Sequence, residues 1–230
     1  MKSTVNEQDV ARRLSHVLWI GGSPCSGKST VSHTIARIYV FVDYHVDAWN
    51  GNHMARRIAA GDTEAKAFMR MSIDQRWIER PVGALTREAV TSWSREFPLV
   101  IDDLLALPTE TFIVAEGNFY PACVAPYLSS PQQAIWLVPT DEFCERGRRE
   151  KWAQLAIRQR RHGIYDEGSD PETRRRNIIA RDCRLARYVR QQAKRLSLSV
   201  QVVDGSRSPE EMTELVERHF DPYLVAYFQK

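Results

Sequence analysis

Eight residues near the start of the chain constrain its fold more than any other feature. Residues 22–29 read Gly-Ser-Pro-Cys-Ser-Gly-Lys-Ser and match the pattern G-x-x-x-x-G-K-[ST] at every fixed position. The glycines permit backbone conformations and close approaches that a Cβ would block. The apolar run 16–20 indicates a buried parallel strand before the loop, and the segment 28–37 indicates a helix after it. The pattern therefore predicts a P-loop, whose backbone N–H groups form an anion nest at the positive end of a helix.

The fixed side chains of this loop have separate tasks. We expect Lys28 to reach the β- and γ-phosphates of a nucleoside triphosphate, and the Ser29 hydroxyl to bind Mg²⁺. ATP and Mg²⁺ are the predicted cofactors. The residues of this region that we predict to contact the nucleotide are Gly22, Ser23, Pro24, Cys25, Ser26, Gly27, Lys28, Ser29 and Thr30.

Short apolar runs alternate with helical segments along the whole chain. The predicted strands cover 16–20, 39–42, 111–115, 134–138 and 198–203, and the predicted helices after the first cover 63–79, 85–96, 97–107, 141–161, 172–196 and a segment from 208 onwards. This alternation predicts an α/β fold with a parallel sheet flanked by helices. The 230 residues suit one domain, with an insert at about 49–110 and a lid at about 144–183.

Ligands of open parallel sheets bind beyond the carboxyl ends of the strands, so the residues that follow each strand are candidates for chemistry. Asp43 follows the second predicted strand, and we expect it to accept the proton of an acceptor hydroxyl, with Asp47 in reserve. A helix cap or a surface turn is the alternative role for Asp43. Glu116 closes the third strand, where it would hold the Mg²⁺ shell or orient the acceptor, or be a plain strand-end carboxylate. Asn118 follows, and with Asp43, Asp47 and Glu116 it is predicted to contact the acceptor.

Arginine dominates the segment 146–195, where basic residues far outnumber acidic ones. The planar fork of Arg matches phosphate and carboxylate groups. Arg146, Arg148 and Arg149 lie near the start of this segment, and we expect arginines here, with Arg146 and Arg149 as the chosen candidates, to neutralise charge on the transferred phosphoryl group. The sequence does not decide which of the three reaches the phosphate. A solvated helix face with internal ion pairs is the alternative for any single arginine.

Together the P-loop, Asp43, Glu116-Gly117 and the Arg-rich segment resemble the nucleoside- and nucleotide-kinase-like group of P-loop phosphotransferases. That group includes adenylate kinase, shikimate kinase, gluconate kinase and chloramphenicol phosphotransferase. The resemblance implies a three-layer fold whose five parallel strands have the order 2-3-1-4-5, and an Arg-rich helical lid that closes over ATP. It also implies that the insert binds the acceptor, that the loop at Asp204 and Gly205 lies against adenine, and that ATP is preferred over GTP. Residues 118–121 read Asn-Phe-Tyr-Pro, without the arginine of the Phe-Pro-Arg run in adenylate-type kinases, which argues against a nucleoside monophosphate acceptor.

The favoured function is a kinase that transfers the γ-phosphate of ATP to a hydroxyl of a small molecule. One alternative is a nucleic-acid-end kinase or RNA-associated enzyme that uses the Arg-rich helices on backbone phosphates, although the sequence contains no RNA-binding motif. Another alternative is a regulatory nucleotide-binding ATPase without a small acceptor. The sequence leaves the acceptor and the oligomeric state open.

Composition suggests the cellular setting. No apolar run approaches the roughly 18 residues of a membrane span, and residues 1–13 are polar rather than signal-like. The four cysteines are scattered without metal-ligand spacing, so we expect reduced thiols, with Cys25 a filler residue of the loop. These features predict a cytoplasmic protein without a membrane partner.

Overall fold

The computed structural model describes residues 6–162 and 168–228, and for residues 158–162 and 226–228 it describes the backbone only. The strands are β1 (Val17–Gly22), β2 (Val42–His45), β3 (Ile113–Glu116), β4 (Ala134–Pro139) and β5 (Ser199–Val203). The helices are α1 (Glu7–Arg13), α2 (Lys28–Tyr39), α3 (Val46–Ala59), α4 (Thr63–Arg70), α5 (Ile73–Trp77), α6 (Val82–Leu105), α7 (Pro121–Val124), α8 (Asp141–His162), α9 (Pro171–Arg195) and α10 (Pro209–Phe228).

The five strands form one parallel sheet in the order β2-β3-β1-β4-β5. Helices flank the sheet, so the predicted fold class and strand order are confirmed. The register aligns His45 and Glu116, the last residues of β2 and β3, with Ile20, which lies two residues before the end of β1. The P-loop follows β1 at this same end of the sheet, which brings the strand-end side chains and the loop together.

Alternate residues of the central strands pack into two separate cores. Trp19 and Trp136 face the core that α6 and α9 cover, whereas Leu18 and Leu137 face the core that α2 and α10 cover. All four side chains are fully buried. A parallel sheet buried on both faces explains why β1 and β4 consist almost entirely of apolar residues.

The second strand begins three residues later than the sequence predicted. Helix α2 continues to Tyr39 and ends at Val40, which has a left-handed backbone with φ 56°, and β2 begins only at Val42. The predicted strand at 39–42 is therefore wrong, because a short apolar run is compatible with either a helix end or a strand. As a result, Asp43 lies inside β2, and His45 is the residue at its carboxyl end.

The insert is more helical than predicted. Helix α3 was not predicted, and the predicted helix at 63–79 is divided by a capping box at Ser72 and Gln75, which starts α5. The predicted helices 85–96 and 97–107 are instead one helix, α6, with Pro98 inside it. An interior proline costs about 3 kcal/mol, but the buried apolar face of α6, including Phe97, offsets this cost through packing against the sheet.

Within residues 6–162 and 168–228, no helix is both long enough and apolar enough to span a membrane.

Candidate active site

The loop between β1 and α2 requires glycine at both fixed positions. Gly22 has φ 148°, and a Cβ there would lie 2.0 Å from the carbonyl oxygen of Leu137 on β4. Gly27 has φ 77° and is the N-cap of α2, without a side-chain cap. In the part of the chain that the structure describes, the backbone N–H groups of Gly27, Lys28 and Ser29 donate no hydrogen bond. They are available to an anion at the helix N-terminus, so the loop fits a phosphate group.

Lys28 is the cation at the centre of this site. Its ammonium donates to the carbonyl oxygen of Ser23 at 2.8 Å and lies 3.5 Å from Asn118 Oδ1. Glu116 Oε1 is 3.7 Å away. Burial lowers the pKa of Lys28, and the charge of Glu116 partly offsets this effect. The loop therefore holds a desolvated positive charge, whose attraction for phosphate is stronger than it would be in water.

Ser29 and Glu116 place two oxygen ligands side by side. Ser29 Oγ donates to Glu116 Oε2 at 3.1 Å. Burial would raise the pKa of Glu116, but the hydrogen bond from His45 and the charge of Lys28 outweigh it and lower the pKa. An ionised carboxylate beside a hydroxyl is the kind of oxygen donor set that Mg²⁺ takes, so these residues fit the predicted ion.

His45 connects this carboxylate to Asp43. Its Nδ1 lies 2.9 Å from Glu116 Oε2, and its Nε2 lies 2.9 Å from Asp43 Oδ2. The hydrogen bond to Glu116 and the contact with Asp43 raise the pKa of His45 to about 9 against the opposing effect of burial. In a sequence, a single histidine beside a strand is weak evidence for a functional site. The position of His45 at a strand end, between two acids, shows that it belongs to this site.

Asp43 does not lie where the sequence reasoning placed it. Because side chains alternate along a strand, Tyr44 enters the core under α6 while Asp43 faces α2. There its carboxylate contacts His33 and His45 at 3.1 and 2.9 Å. The residues that line the cleft in front of the P-loop include Asp47 and exclude Asp43. Of these two acids, Asp47 therefore lines the cleft in front of the P-loop and Asp43 does not.

The cleft in front of the P-loop has a volume of about 320 Å³. Four residues of the P-loop line one side, with Glu116 and Asn118 from the end of β3. Asp47 lines the same cleft from the first turn of α3, where its Oδ1 accepts a hydrogen bond from Asn50 Nδ2 at 3.3 Å. The predicted acceptor contacts Asp47, Glu116 and Asn118 therefore share one cleft.

Of the three arginines considered at the start of the Arg-rich segment, Arg148 lines the cleft, whereas Arg146 and Arg149, the two chosen candidates, do not. Arg148 and Lys151 of α8 and Arg181 of α9 line it. Arg149 is exposed and pairs with Glu145 on the outer face of α8. Residues three and four apart share one face of a helix, so 144, 147, 148 and 151 face inward while 145 and 149 face outward.

Arg146 lies at the loop that follows β5 rather than in the cleft. Its guanidinium stacks on Phe143 at 5.0 Å, and a Cβ added at Gly205 would lie 2.5 Å from its Nη2. Asp204 accepts hydrogen bonds from the backbone and hydroxyl of Ser206. The loop predicted to contact adenine thus lies under Arg146, outside the described lining of the cleft.

Arg148 and Arg181 are fixed by one buried carboxylate. Asp182 is fully buried and accepts from Arg148 Nε at 2.6 Å and from Arg181 Nε and Nη2 at 2.9 and 2.7 Å. The Arg181 guanidinium also lies 5.0 Å from the centre of the Trp77 ring. Shared pairing with Asp182 couples α8 to α9 and holds both cations at the cleft.

Cys25 lies in the P-loop with φ 64° and lines the cleft. A hydrogen bond with Cys144 lowers its pKa to about 7, with help from the charge of Arg148 and against the opposing effect of burial. A Cβ at Gly147 would lie 3.4 Å from the Cβ of Cys25, so α8 passes close over the loop. The cysteines scattered along the sequence are therefore partly gathered in space.

A second cavity of about 220 Å³ adjoins the cleft and was not predicted as such. Four residues line both spaces, namely Asn50, Trp93, Glu96 and Arg181. Along α3 and α6 the lining residues recur at helical spacing. The lining positions in these two helices are 50, 54, 57, 85, 88, 89, 92, 93 and 96. This periodicity was present in the sequence, but it did not show which face of each helix was buried and which lined a cavity.

Neither a known protein family nor a curated protein matches this chain.

Proposed function

We propose that this protein is an ATP-dependent phosphotransferase that moves the γ-phosphate to a hydroxyl of a small molecule. One observation carries the proposal, namely that Lys28, Ser29 and Glu116 converge in a cleft that Asp47 also lines. A buried ammonium, an oxygen donor pair and a further carboxylate are groups that suit phosphoryl transfer from a metal-bound nucleotide.

Each residue then has a stated role. The P-loop N–H groups and Lys28 would bind the phosphates, and Ser29 and Glu116 would hold Mg²⁺, which would supply positive charge beside the phosphate oxygens. Asp47 accepts the proton of the attacking hydroxyl. Arg148, held by Asp182, stabilises the charge that spreads over the transferred group.

The lining of the second cavity supports an acceptor whose main part is uncharged. Apolar side chains such as Met54, Phe68, Trp77 and Leu85 line it, and every charged side chain in its lining has a protein partner. These pairs are Arg57 with Asp62, Glu64 with Arg95, Glu88 with Arg80, Glu96 with His53, and Arg181 with Asp182. Apart from Arg181, which shares Asp182 with Arg148 at the boundary with the cleft, each of these charges has a partner of its own, so the body of the cavity favours a neutral molecule with an apolar or aromatic part.

A screen for ADP release tests the proposal. Mg²⁺-ATP is supplied with a library of hydroxylated metabolites, nucleosides and antibiotics, and the Lys28→Ala variant is the blank. We expect one chemical class of neutral acceptor to raise ADP release above the basal rate and to gain one phosphate by mass. A flat response with ATP still bound would reject a small acceptor. A DNA or RNA 5′-hydroxyl end is then tested in the same assay.

The proposed setting is a reducing, cytoplasmic one. All four cysteines are free thiols, which suits a reducing compartment. ATP and the neutral acceptor are the partners this function requires.

A further inference from the structure

Two histidines and an aspartate meet on the side of the sheet that faces α2. Asp43 Oδ2 lies 3.1 Å from His33 Nδ1 and 2.9 Å from His45 Nε2. One ligand atom of each of the three side chains lies within 4.8 Å of the other two. None of the three is among the described residues that line the cleft.

We propose that this His33-Asp43-His45 cluster is a Zn²⁺ site, distinct from the Mg²⁺ site at the P-loop. Imidazole nitrogens and a carboxylate oxygen are the ligands that Zn²⁺ selects, whereas Mg²⁺ takes oxygen. With bonds of about 2.0–2.1 Å, neighbouring ligands of a tetrahedral Zn²⁺ lie about 3.3 Å apart. The two distances from Asp43 are within a few tenths of an ångström of this value, so small side-chain shifts would form the site.

The surroundings of the cluster fit a metal better than a simple ion pair. Asp43 Oδ1 is buried and has no hydrogen-bond partner among the described residues, so a second carboxylate oxygen is held beside the two imidazoles. The side chain of His33 is 70% exposed, which gives an ion a path from solvent and leaves a fourth position for water.

The contact between His45 and Glu116 supplies the outer shell of the site. A histidine that binds metal through one nitrogen usually donates its other ring N–H to a carboxylate, which fixes the tautomer and the ring orientation. His45 presents Nε2 to Asp43 and Nδ1 to Glu116 Oε2 at 2.9 Å. The zinc site would thus be linked to the proposed Mg²⁺ ligand through a single side chain, while its own evidence is independent of the kinase function.

Zinc binding by the full chain tests the proposal. The protein is stripped with a chelator and titrated with Zn²⁺ in buffer with excess Mg²⁺, and Co²⁺ is used in parallel for its visible absorption. We expect one equivalent of Zn²⁺ to bind and Co²⁺ to give the intense spectrum of a four-coordinate ion. His33→Ala should weaken binding at least about tenfold, and His45→Gln should do the same, whereas His16→Gln, a histidine away from the cluster, should not.

Two outcomes would overturn the zinc site. The first is Zn²⁺ affinity that is equal in the parent chain and in His33→Ala, or no retained Zn²⁺ at all. The second is loss of the metal in Cys25→Ser with no loss in His33→Ala, which would place the ion on thiols. Because His33 is a surface residue of α2, its variant is expected to fold, and the thermal unfolding curve checks this.

Discussion

Replacing Asp47 by Asn should slow phosphoryl transfer while it leaves the affinity for Mg²⁺-ATP nearly unchanged. Asp47 lines the cleft from the first turn of α3, and Asn keeps both its volume and the oxygen that accepts from Asn50. A general base typically contributes a factor of about 10²–10⁴. Since each tenfold change in rate corresponds to about 1.36 kcal/mol, the variant should raise the barrier by about 3–5 kcal/mol.

Binding of Mg²⁺-ATP should survive the same substitution. The carboxylate of Asp47 favours the charged form of Lys28 but also repels phosphate. Asp47 is exposed, and loss of one exposed charge is worth about 0–1 kcal/mol, so the Kd of ATP should change by no more than about fivefold. The assay measures kcat by ADP release with the acceptor found in the screen, the Kd of ATP by calorimetry and the fold by thermal unfolding.

The same substitution at Asp43 is the matched comparison. Asp43 faces α2 and contacts His33 and His45 rather than the cleft, so without added zinc its Asn variant should keep kcat within about tenfold. Loss of turnover in Asp43→Asn together with intact turnover in Asp47→Asn would contradict the role of Asp47. That result would mean that Asp43, the residue favoured by the sequence, reaches the acceptor in a conformation other than the one described.

Three further predictions concern the P-loop and its neighbours. Glu116→Gln should raise the Mg²⁺ concentration for half-maximal activity about 10–100-fold, and an unchanged Mg²⁺ dependence would remove Glu116 from the ion. Because the pKa of Cys25 is lowered to about 7, burial raises that of Cys123, and Cys183, whose pKa is also lowered, is buried, Cys25 should be alkylated first by iodoacetamide, with a rate that rises through about pH 7. Mass spectrometry with and without Mg²⁺-ATP checks this order and the expected protection. Gly22→Ala should lower the free energy of unfolding more than Gly27→Ala. The Cβ added at Gly22 would lie 2.0 Å from the backbone of Leu137, whereas Gly27→Ala costs only the strain of a left-handed backbone, about 1–2 kcal/mol. Equal losses of stability in urea denaturation would contradict the loop geometry.

The sequence predicted the sheet and the phosphate loop because both depend on local patterns. Continuous apolar runs such as Ala134–Pro139 are typical of strands buried on both faces. The spacing of Gly22, Gly27 and Lys28 specifies the loop without reference to any distant residue. The strand order followed from the resemblance, and the structure confirms it.

The position of the acidic residues could not be predicted as well, because it depends on where one short element ends. The left-handed residue Val40 delays β2 by three residues, which moves Asp43 into the strand and leaves His45 at its end. Val has no local preference for a positive φ. A shift of three residues decides which of two nearby carboxylates lines the cleft. The sequence alone therefore could not show that Asp47 lines it and Asp43 does not.

The arginines illustrate a different limit, since their role depends on the rotation of a helix about its own axis. Helix α8 carries charge all around, and no apolar stripe indicates which side faces the protein. Its inward side is set by small and thiol residues, Cys144 and Gly147, which let the helix approach Cys25. This contact places Arg148 at the cleft and turns Arg149, one residue later, about 100° away toward solvent. The residues of α8 that face the P-loop can therefore be assigned only when the positions of both the helix and the loop are known. A larger residue at Gly147 should therefore disturb the position of Arg148 more than the removal of Arg149 would.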